Sequence, residues 1–472
     1  MKKKAFIKII PTLLLHLAVM AFAITGCSDS GAEHGNEAPL DSEAANTAEQ
    51  GNTPENDNTL TIAAAYTARE LNRLASKYMS ENPGVSIEII DYTDHEKRDG
   101  HWGLAQQEIA TQLMAGSGAV LMDGFLVDYL APQSAAYFAD WFPIMYADPD
   151  FKEEDWFMNV FHATAANGRL YAFSTAFYYP LVAANSAVPG LLEAMEGRGG
   201  ISVMELLELH REIPTDTTYF FEYYFSTQWV LELYLDTFID IETGRVDFSD
   251  EFVDFISHAK EITDTGKDPE YFWPLTPSQE TALSDRYFYH LSNSVAMDYQ
   301  YLLELEKEPL FTSFTPITNS NGELLVYPIE AYVLSAYASP AQQSLAWDFV
   351  KFMAEPDNQP QYISMQPTKR ELLRIAIEHD LPKTLADAYK RQLTYSVDEA
   401  VEDALRQMTA FGEMPMQNIR SLPNVFFGWG SRSGILREAL ELFEDGLVSA
   451  EQTALNLQNQ VELVMMEIGG RR

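Results

Sequence analysis

Apolar and polar positions change period in a regular order along the chain. Leu60 to Ala65 is a short apolar run of strand length. Leu71, Leu74, Ala75, Tyr78 and Met79 then recur at helical spacing, and Asn82-Pro83-Gly84 stops the pattern. Val85 to Ile90 is extended again, so the opening predicts a β–α–β unit with parallel strands and a right-handed crossover. A second helical pattern covers Leu104 to Met114, with Ile109 and Leu113 on its apolar face, and Ala119 to Phe125 reads as the next strand. Asn167-Gly168 predicts a tight turn, because both residues tolerate positive φ. After it, Leu170, Ala172 and Ser174 alternate with Tyr171, Phe173 and Thr175, and Phe177 to Ala184 continues extended. That path is either two consecutive strands of one sheet or a crossing between two lobes.

Later, Gly199-Gly200-Ile201-Ser202 opens a helix carrying Val203, Leu206 and Leu207, and Ser249 reads as an N-cap with Asp250 and Glu251 in the first turn. Phe311 to Pro316, a turn at Gly322 and Tyr332 to Ala336 follow. Ser339-Pro340-Ala341-Gln342 is a capping box with proline in the first turn, and Leu345, Ala346, Phe349, Val350 and Met353 line the helix it starts. The remainder is helical, ending in Ser449 to Ile468. No internal repeat is visible.

Several of these segments resemble the bacterial extracellular solute-binding proteins, the group that includes maltodextrin-binding protein. The opening helix and strand, with Glu81-Asn82-Pro83-Gly84-Val85 and Ile87-Glu88, carry the most specific likeness. Ala115-Gly116-Ser117-Gly118 and Tyr137 to Ile144 match in part. Asn167 to Ala172, with Asn185 further on, resembles the family's crossover; Ser174, Ala184 and Ser186 replace its proline, tyrosine and lysine. Val295-Ala296-Met297, Ser339 to Met353 and Pro367-Thr368-Lys369 follow in the family's order, so the resemblance spans about residues 59–468. It implies a two-lobed α/β fold of the type II periplasmic-binding class, each lobe a mostly parallel sheet flanked by helices. The implied division is residues 59–175 and 294–338 in the N-lobe, 176–293 in the C-lobe, and 339–472 as a helical second part of the C-lobe.

The N-terminus adds a location. Lys2, Lys3, Lys4 and Lys8 precede the apolar run Ile9 to Ile24, which is short for a membrane span. Ile24-Thr25-Gly26-Cys27 resembles a lipobox, so residues 1–26 are expected to be a lipoprotein signal peptide and Cys27, the chain's single cysteine, the lipidated residue. With one cysteine no internal disulfide can form. Residues 27–58 hold no Lys or Arg and one large aliphatic residue, Leu40, as in a flexible tether. The expected location is the extracellular face of the cell membrane, as in lipoproteins of Gram-positive bacteria.

The 472 residues carry a formal charge of −39, which argues against nucleic acid and against direct binding to anionic lipid. Hydrophobic content of 46% suffices for well-filled cores. No His-Glu-x-x-His, Asp-x-Asp-x-Asp-Gly or Gly-x-Ser-x-Gly pattern occurs, and His210, His258 and His290 stand alone on helical patterns. Gly116-Ser117-Gly118 lacks the Lys-Ser/Thr ending of a phosphate loop and precedes a strand. With 70 acids, some carboxylate pair always fits glycoside hydrolysis, so that chemistry stays open. No catalytic residue, metal or cofactor is expected.

A binding site requires less. Sugars are held by aromatic faces and by polar side chains on their hydroxyls. Tyr66 and Asp123 end strands of the first lobe. Glu222 and Tyr224, in an aromatic cluster with Trp229 nearby, occupy the place where carbohydrate-binding relatives have an acid and a stacking ring. Trp429, after Pro423 to Gly428, resembles the family's ligand-stacking tryptophan, and Asp298 and Tyr299 follow the returning strand. Trp102 is either a lid residue or a helix-start packing residue. The resemblance implies a monomeric receptor of an ABC importer that binds a carbohydrate, first an oligosaccharide, between hinged lobes and delivers it to the permease subunits. A peptide or amine ligand, a surface carbohydrate-active enzyme, and a ligand-sensing partner of a membrane kinase are the alternatives.

Overall fold

Leu60 and Ile62 alternate with Thr59 and Thr61, and this alternation lays down strand β1 (Thr59–Ala64) with its apolar residues buried. The computed structural model describes residues 57–65, 67–93, 103–127, 129, 134–185, 188–213, 219–221, 231, 233–240, 244–265, 287–292, 311–358, 366–380, 382, 397–415, 419–421 and 433–469. Helix α1 (Ala68–Glu81) buries Leu71, Leu74, Ala75 and Tyr78, ends at Asn82, and turns through Gly84 at φ 101°. Strand β2 (Ser86–Asp91) returns parallel to β1, with Leu60 opposite Ile87. The expected β–α–β unit is therefore present. Helix α2 (Gly103–Met114) leads to β3 (Leu121–Asp123), which also runs parallel to β1. This strand is shorter than the pattern suggested, because Asp123 caps a 3-10 turn over Gly124–Leu126.

Helices α3 (Trp141–Ala147) and α4 (Met158–Thr164) precede the Asn167-Gly168 turn. Both turn residues have positive φ, 52° and 74°, and Ala166 and Arg169 exchange backbone bonds of 2.9 and 3.0 Å across it. The extended path that follows is β4 (Ala172–Tyr178) and β5 (Leu181–Asn185). Phe173 packs in a first core and Val182 and Ala184 in a second, so this path is a crossing.

The second core is built on β6 (Ile201–Ser202), helix α5 (Val203–Glu212), the hairpin of β8 (Ile239–Asp240) and β9 (Arg245–Val246) and helix α6 (Asp250–Thr265), and strands β7 (Tyr219–Phe221) and β10 (Tyr287–Ser292) extend the sheet beside β5. Ser202 and Glu205 close a capping box at the start of α5. His290 lies on strand β10, not on a helix, and His258 accepts a bond from Arg211 Nε at 3.0 Å. The chain returns through β11 (Phe311–Thr318) and the long β12 (Leu324–Leu334). Helix α7 (Pro340–Met353) starts with the expected capping box of Ser339 and Gln342. Then follow β13 (Gln366–Pro367), α8 (Arg370–Ile375), α9 (Val397–Gly412), β14 (Ile419–Ser421), α10 (Ser433–Glu444) and α11 (Ala450–Gly469).

The main sheet runs β2-β1-β3-β12-β11-β5-β10-β7. One face of its first half carries α1, α3 and α7, and the other carries α2. The second half is covered by α5, α6, α10 and α11. A third cluster, with Phe157, Phe177, Tyr179, Val326, Phe411 and Ile419, lies beneath the crossing. This is a two-lobed α/β fold.

Two expected boundaries shift. Residues 339–353 were assigned with the C-lobe, yet α7 buries Leu345, Ala346, Trp347, Phe349 and Val350 in the first core. Its apolar stripe meets α1, with the Tyr78 and Phe349 rings edge to face at 5.4 Å. Residues 311–318 were assigned with the N-lobe, yet β11 pairs with β5 and places Ile317 in the second core.

The first core is held at one corner by a half-buried polar clasp. Trp347 Nε1–H donates to Asp148 Oδ2 at 2.8 Å, and Lys351 Nζ donates to the same oxygen at 2.5 Å. Burial alone would raise the Asp148 carboxyl, but Lys351, the Asp150 N–H and Trp347 outweigh it and hold it below the ordinary aspartate value. Replacing Asp148 by alanine is expected to cost about 1–3 kcal/mol of stability at pH 7. A depressed carboxyl stabilises above the unfolded value near ~4 and loses its effect as pH falls through the folded value. Urea unfolding of both proteins at pH 7 and pH 3 checks this: the difference should shrink in acid, and a constant difference would exclude the charge as its source.

Candidate functional site

Strand β12 belongs to both lobes. Leu324 to Val326 pair with β14, and Tyr332 to Leu334 pair with β3 on the edge away from β4. Between them, residues 327–331 have no strand partner on that edge among the described residues. Five residues of strand span about 16 Å. Strand β3 is antiparallel to β12, so its C-terminal end at Asp123 points into this gap. Strand β14 is parallel to β12, so its end at Ser421 points into the same gap from the other side. Strand C-termini from two lobes thus converge on one bare stretch, the arrangement in which open α/β sheets take ligands.

The rim on the first lobe is built around Asp123. Its Oδ1 accepts the Phe125 N–H at 3.0 Å, and its Oδ2 accepts the Thr67 hydroxyl at 3.1 Å and the Ala65 N–H at 3.4 Å. Burial pushes this carboxyl up, and those three donors pull against it. The Thr93 hydroxyl donates to Ala65 O at 2.9 Å, and Gln106 Nε2 donates to Phe125 O at 3.1 Å. The loops after β1, β2 and β3 are therefore tied together before any ligand arrives. Gly124 lies against the floor: a Cβ there would sit 3.0 Å from the Ala331 Cβ and 3.2 Å from the Tyr129 ring.

The floor is the paired stretch of β4 and β12. Tyr178 and Tyr327 stack across it at 4.6 Å and 16°. Ser174 is buried, and its hydroxyl has no hydrogen-bond partner. Within the gap Glu330 stands at φ 47°, in the left-handed region, and its Oε2 accepts the Thr175 hydroxyl at 3.0 Å. The third chain passage joins here: Thr368 N–H donates to Thr175 O at 2.9 Å, and its hydroxyl donates to Ser174 O at 2.8 Å.

Of the residues singled out from the sequence, Asp123 lies at this rim, where its oxygens are used by the loops it joins. Tyr66, Glu222, Tyr224, Asp298, Tyr299, Trp429, Trp102 and Cys27 lie outside the described residues. Thr175, Glu330 and Thr368 were missed. The sequence signal for Glu330 is Pro328-Ile329-Glu330, which interrupts an apolar strand; Thr368 lies in the Pro367-Thr368-Lys369 likeness and Thr175 in the alternating run, and neither pattern points to this meeting. A separate depression of about 260 Å³ lies among Thr237, Arg245, Asp247, Ser249, Glu251 and Asn321 in the second lobe; Arg245 there already faces Asp247 at 3.8 Å. Among the described residues, no three His, Cys, Asp or Glu side chains are grouped to hold a metal ion, and no helix is long and apolar enough to cross a membrane.

No protein-family model matches the sequence, and neither does any curated protein. Solved structures do match. The sugar-binding protein MalE from Xanthomonas citri superimposes with a TM-score of 0.55 at 14% identity, over 87% of this chain and 98% of that one. An ABC transporter solute-binding protein from Agrobacterium radiobacter K84 in complex with ribitol gives 0.54 at 14%, over 86% and 98%. The cyclic alpha-maltosyl-1,6-maltose binding protein from Arthrobacter globiformis gives 0.51 at 15%, over 87% and 99%. At these identities the likeness is one of fold, and it upholds the two-lobed α/β architecture.

The Gly124–Ala331 contact makes a direct test of the rim's packing. Gly124→Ala should lower stability by about 1–3 kcal/mol through overpacking. Adding Ala331→Gly should recover part of that loss in thermal unfolding; an additive pair of effects would mean that the two residues do not press on each other.

Proposed function

We propose that this chain is the extracellular receptor subunit of an ABC importer, binding a carbohydrate between its two lobes. The observation that carries this reading is the gap along β12, where strand ends from both lobes meet on a floor that both lobes share. Three passages of chain link the lobes at that floor, the construction that lets two domains close on a ligand by bending. Proteins of the same fold bind cyclic alpha-maltosyl-1,6-maltose and ribitol, which supports a ligand rich in hydroxyl groups. An oligosaccharide is the ligand class we favour. Tyr66, Asp123, Glu222, Tyr224, Asp298, Tyr299 and Trp429 are the contacts we assign to it, with Asp123 also fixing the rim. The protein acts by binding and release, and the permease recognises the closed form. Residues 1–26 direct export, Cys27 carries the lipid, and residues 27–58 tether the folded part to the outer face of the membrane.

Thermal unfolding against sugars, oligosaccharides, polyols, peptides and amines tests the ligand. A ligand at a hundred times its Kd should add about 2.7 kcal/mol of stability. A shift confined to one sugar class, with the sugar recovered intact, supports the receptor; a sugar that is consumed points instead to an enzyme, and a shift with peptides or amines alone changes the ligand class. Cys27→Ala should release the protein from the membrane fraction into the medium, read by immunoblot of cells and supernatant.

A further inference from the structure

Antiparallel pairing between β4 and β12 runs from Tyr178–Tyr327 to Ala172–Val333, and one pair is missing from it: Thr175 with Glu330. The interruption coincides with three other features. Glu330 has a positive φ, a conformation L-residues avoid because the Cβ crowds the following carbonyl. The two residues are joined side chain to side chain, through the Thr175 hydroxyl and the Glu330 carboxylate. The Thr175 carbonyl is taken by the third passage, through the Thr368 N–H and hydroxyl at 2.9 and 3.1 Å.

The chain changes core at this same point. On β12, Leu324 and Val326 belong to the cluster beneath the crossing and Leu325 to the second core, whereas Ala331 to Leu334 belong to the first lobe. On β4, Ala172 and Phe173 belong to the first lobe and Phe177 to the cluster beneath the crossing. The pair also stands within the bare edge between β14 and β3. A ladder bends most easily where it is not bonded, and a non-glycine residue at positive φ stores strain that a different backbone setting would release.

We propose that Glu330 is the strained pivot of the hinge, and that strain and the Thr175 bond act in opposite directions on the balance between two lobe arrangements. This deepens the receptor reading and rests on its hinge. The bond favours the arrangement described here. The left-handed backbone favours the alternative, in which Glu330 relaxes to an extended conformation and pairs with Thr175 in the ladder. The sequence thus places a residue with a Cβ where glycine would remove the opposition, and this keeps both arrangements accessible.

The test needs no ligand. Cysteines introduced at exposed Met114 and Leu447, one on each lobe, carry spin labels in the full chain with Cys27→Ser, and the distance distribution is measured in solution. Three variants separate the two effects. Glu330→Gly removes the strain together with the bond, whereas Glu330→Ala and Thr175→Val remove the bond and keep the strain. Glu330→Gly should raise the population of the described arrangement relative to Glu330→Ala by about five- to thirtyfold. Glu330→Ala and Thr175→Val should both shift the distribution away from it. Circular dichroism and urea unfolding confirm that each variant is folded. The proposal is overturned if the folded variants share the parent's distribution, or if Glu330→Gly and Glu330→Ala move it equally. Failure to find any ligand would leave these distances unaffected, so the pivot and the receptor reading fail separately.

Discussion

The antiparallel pairing of β4 with β12 is the constraint on which the rest of the molecule depends. Both strands leave one hydrophobic core and enter another without a break in the chain. Two lobes joined in this way cannot drift apart, because every ladder bond would have to be exchanged for water. In the receptor reading proposed above, the lobes turn about this ladder. The remaining passage, through β13 and Thr368, pairs with Ala176 and Phe177 of β4 and bonds the Ser174 and Thr175 carbonyls.

Behind the ladder the third cluster limits how far that turning can go. Phe411 stacks on Phe177 at 5.2 Å and on Tyr179 at 5.0 Å, and Phe157 meets both Phe177 and Phe411 edge to face. Arg370 places its guanidinium 4.7 Å from the Phe157 ring centre and donates to Trp156 O and Gly412 O. Rings in offset and edge contacts slide with little loss, whereas the carbonyl bonds fix direction. Helices α8 and α9 lie beneath the crossing, while residues 327–331 of β12 have, among the described residues, no strand partner on the edge away from β4. At the rim, Asp123, Thr67 and Thr93 tie the loops of the first lobe to one another.

What the sequence determined by itself was local. The β–α–β opening, the stop at Asn82, the Asn167-Gly168 turn, the helix start at Ser202 and the capping box of Ser339 all depend on side chains and backbones within a few residues of each other, and each formed where its pattern stands. The order of those elements was enough to suggest the two-lobed class. Tertiary structure alone decided which core each element joined. The stripe on α7 is equally suited to either lobe, and only its fit against Tyr78 of α1 placed it in the first. Of the candidate site, Asp123 was legible as the end of a strand, but its role as a clamp came from Ala65 and Thr67, far away in the chain. Nothing in the local patterns around Thr175, Glu330 or Thr368, the Pro367-Thr368-Lys369 likeness included, shows that the three meet. Their meeting is a consequence of three passages crossing at one point, with sequence separations of 155 and 193 residues, and no local period records a contact of that range.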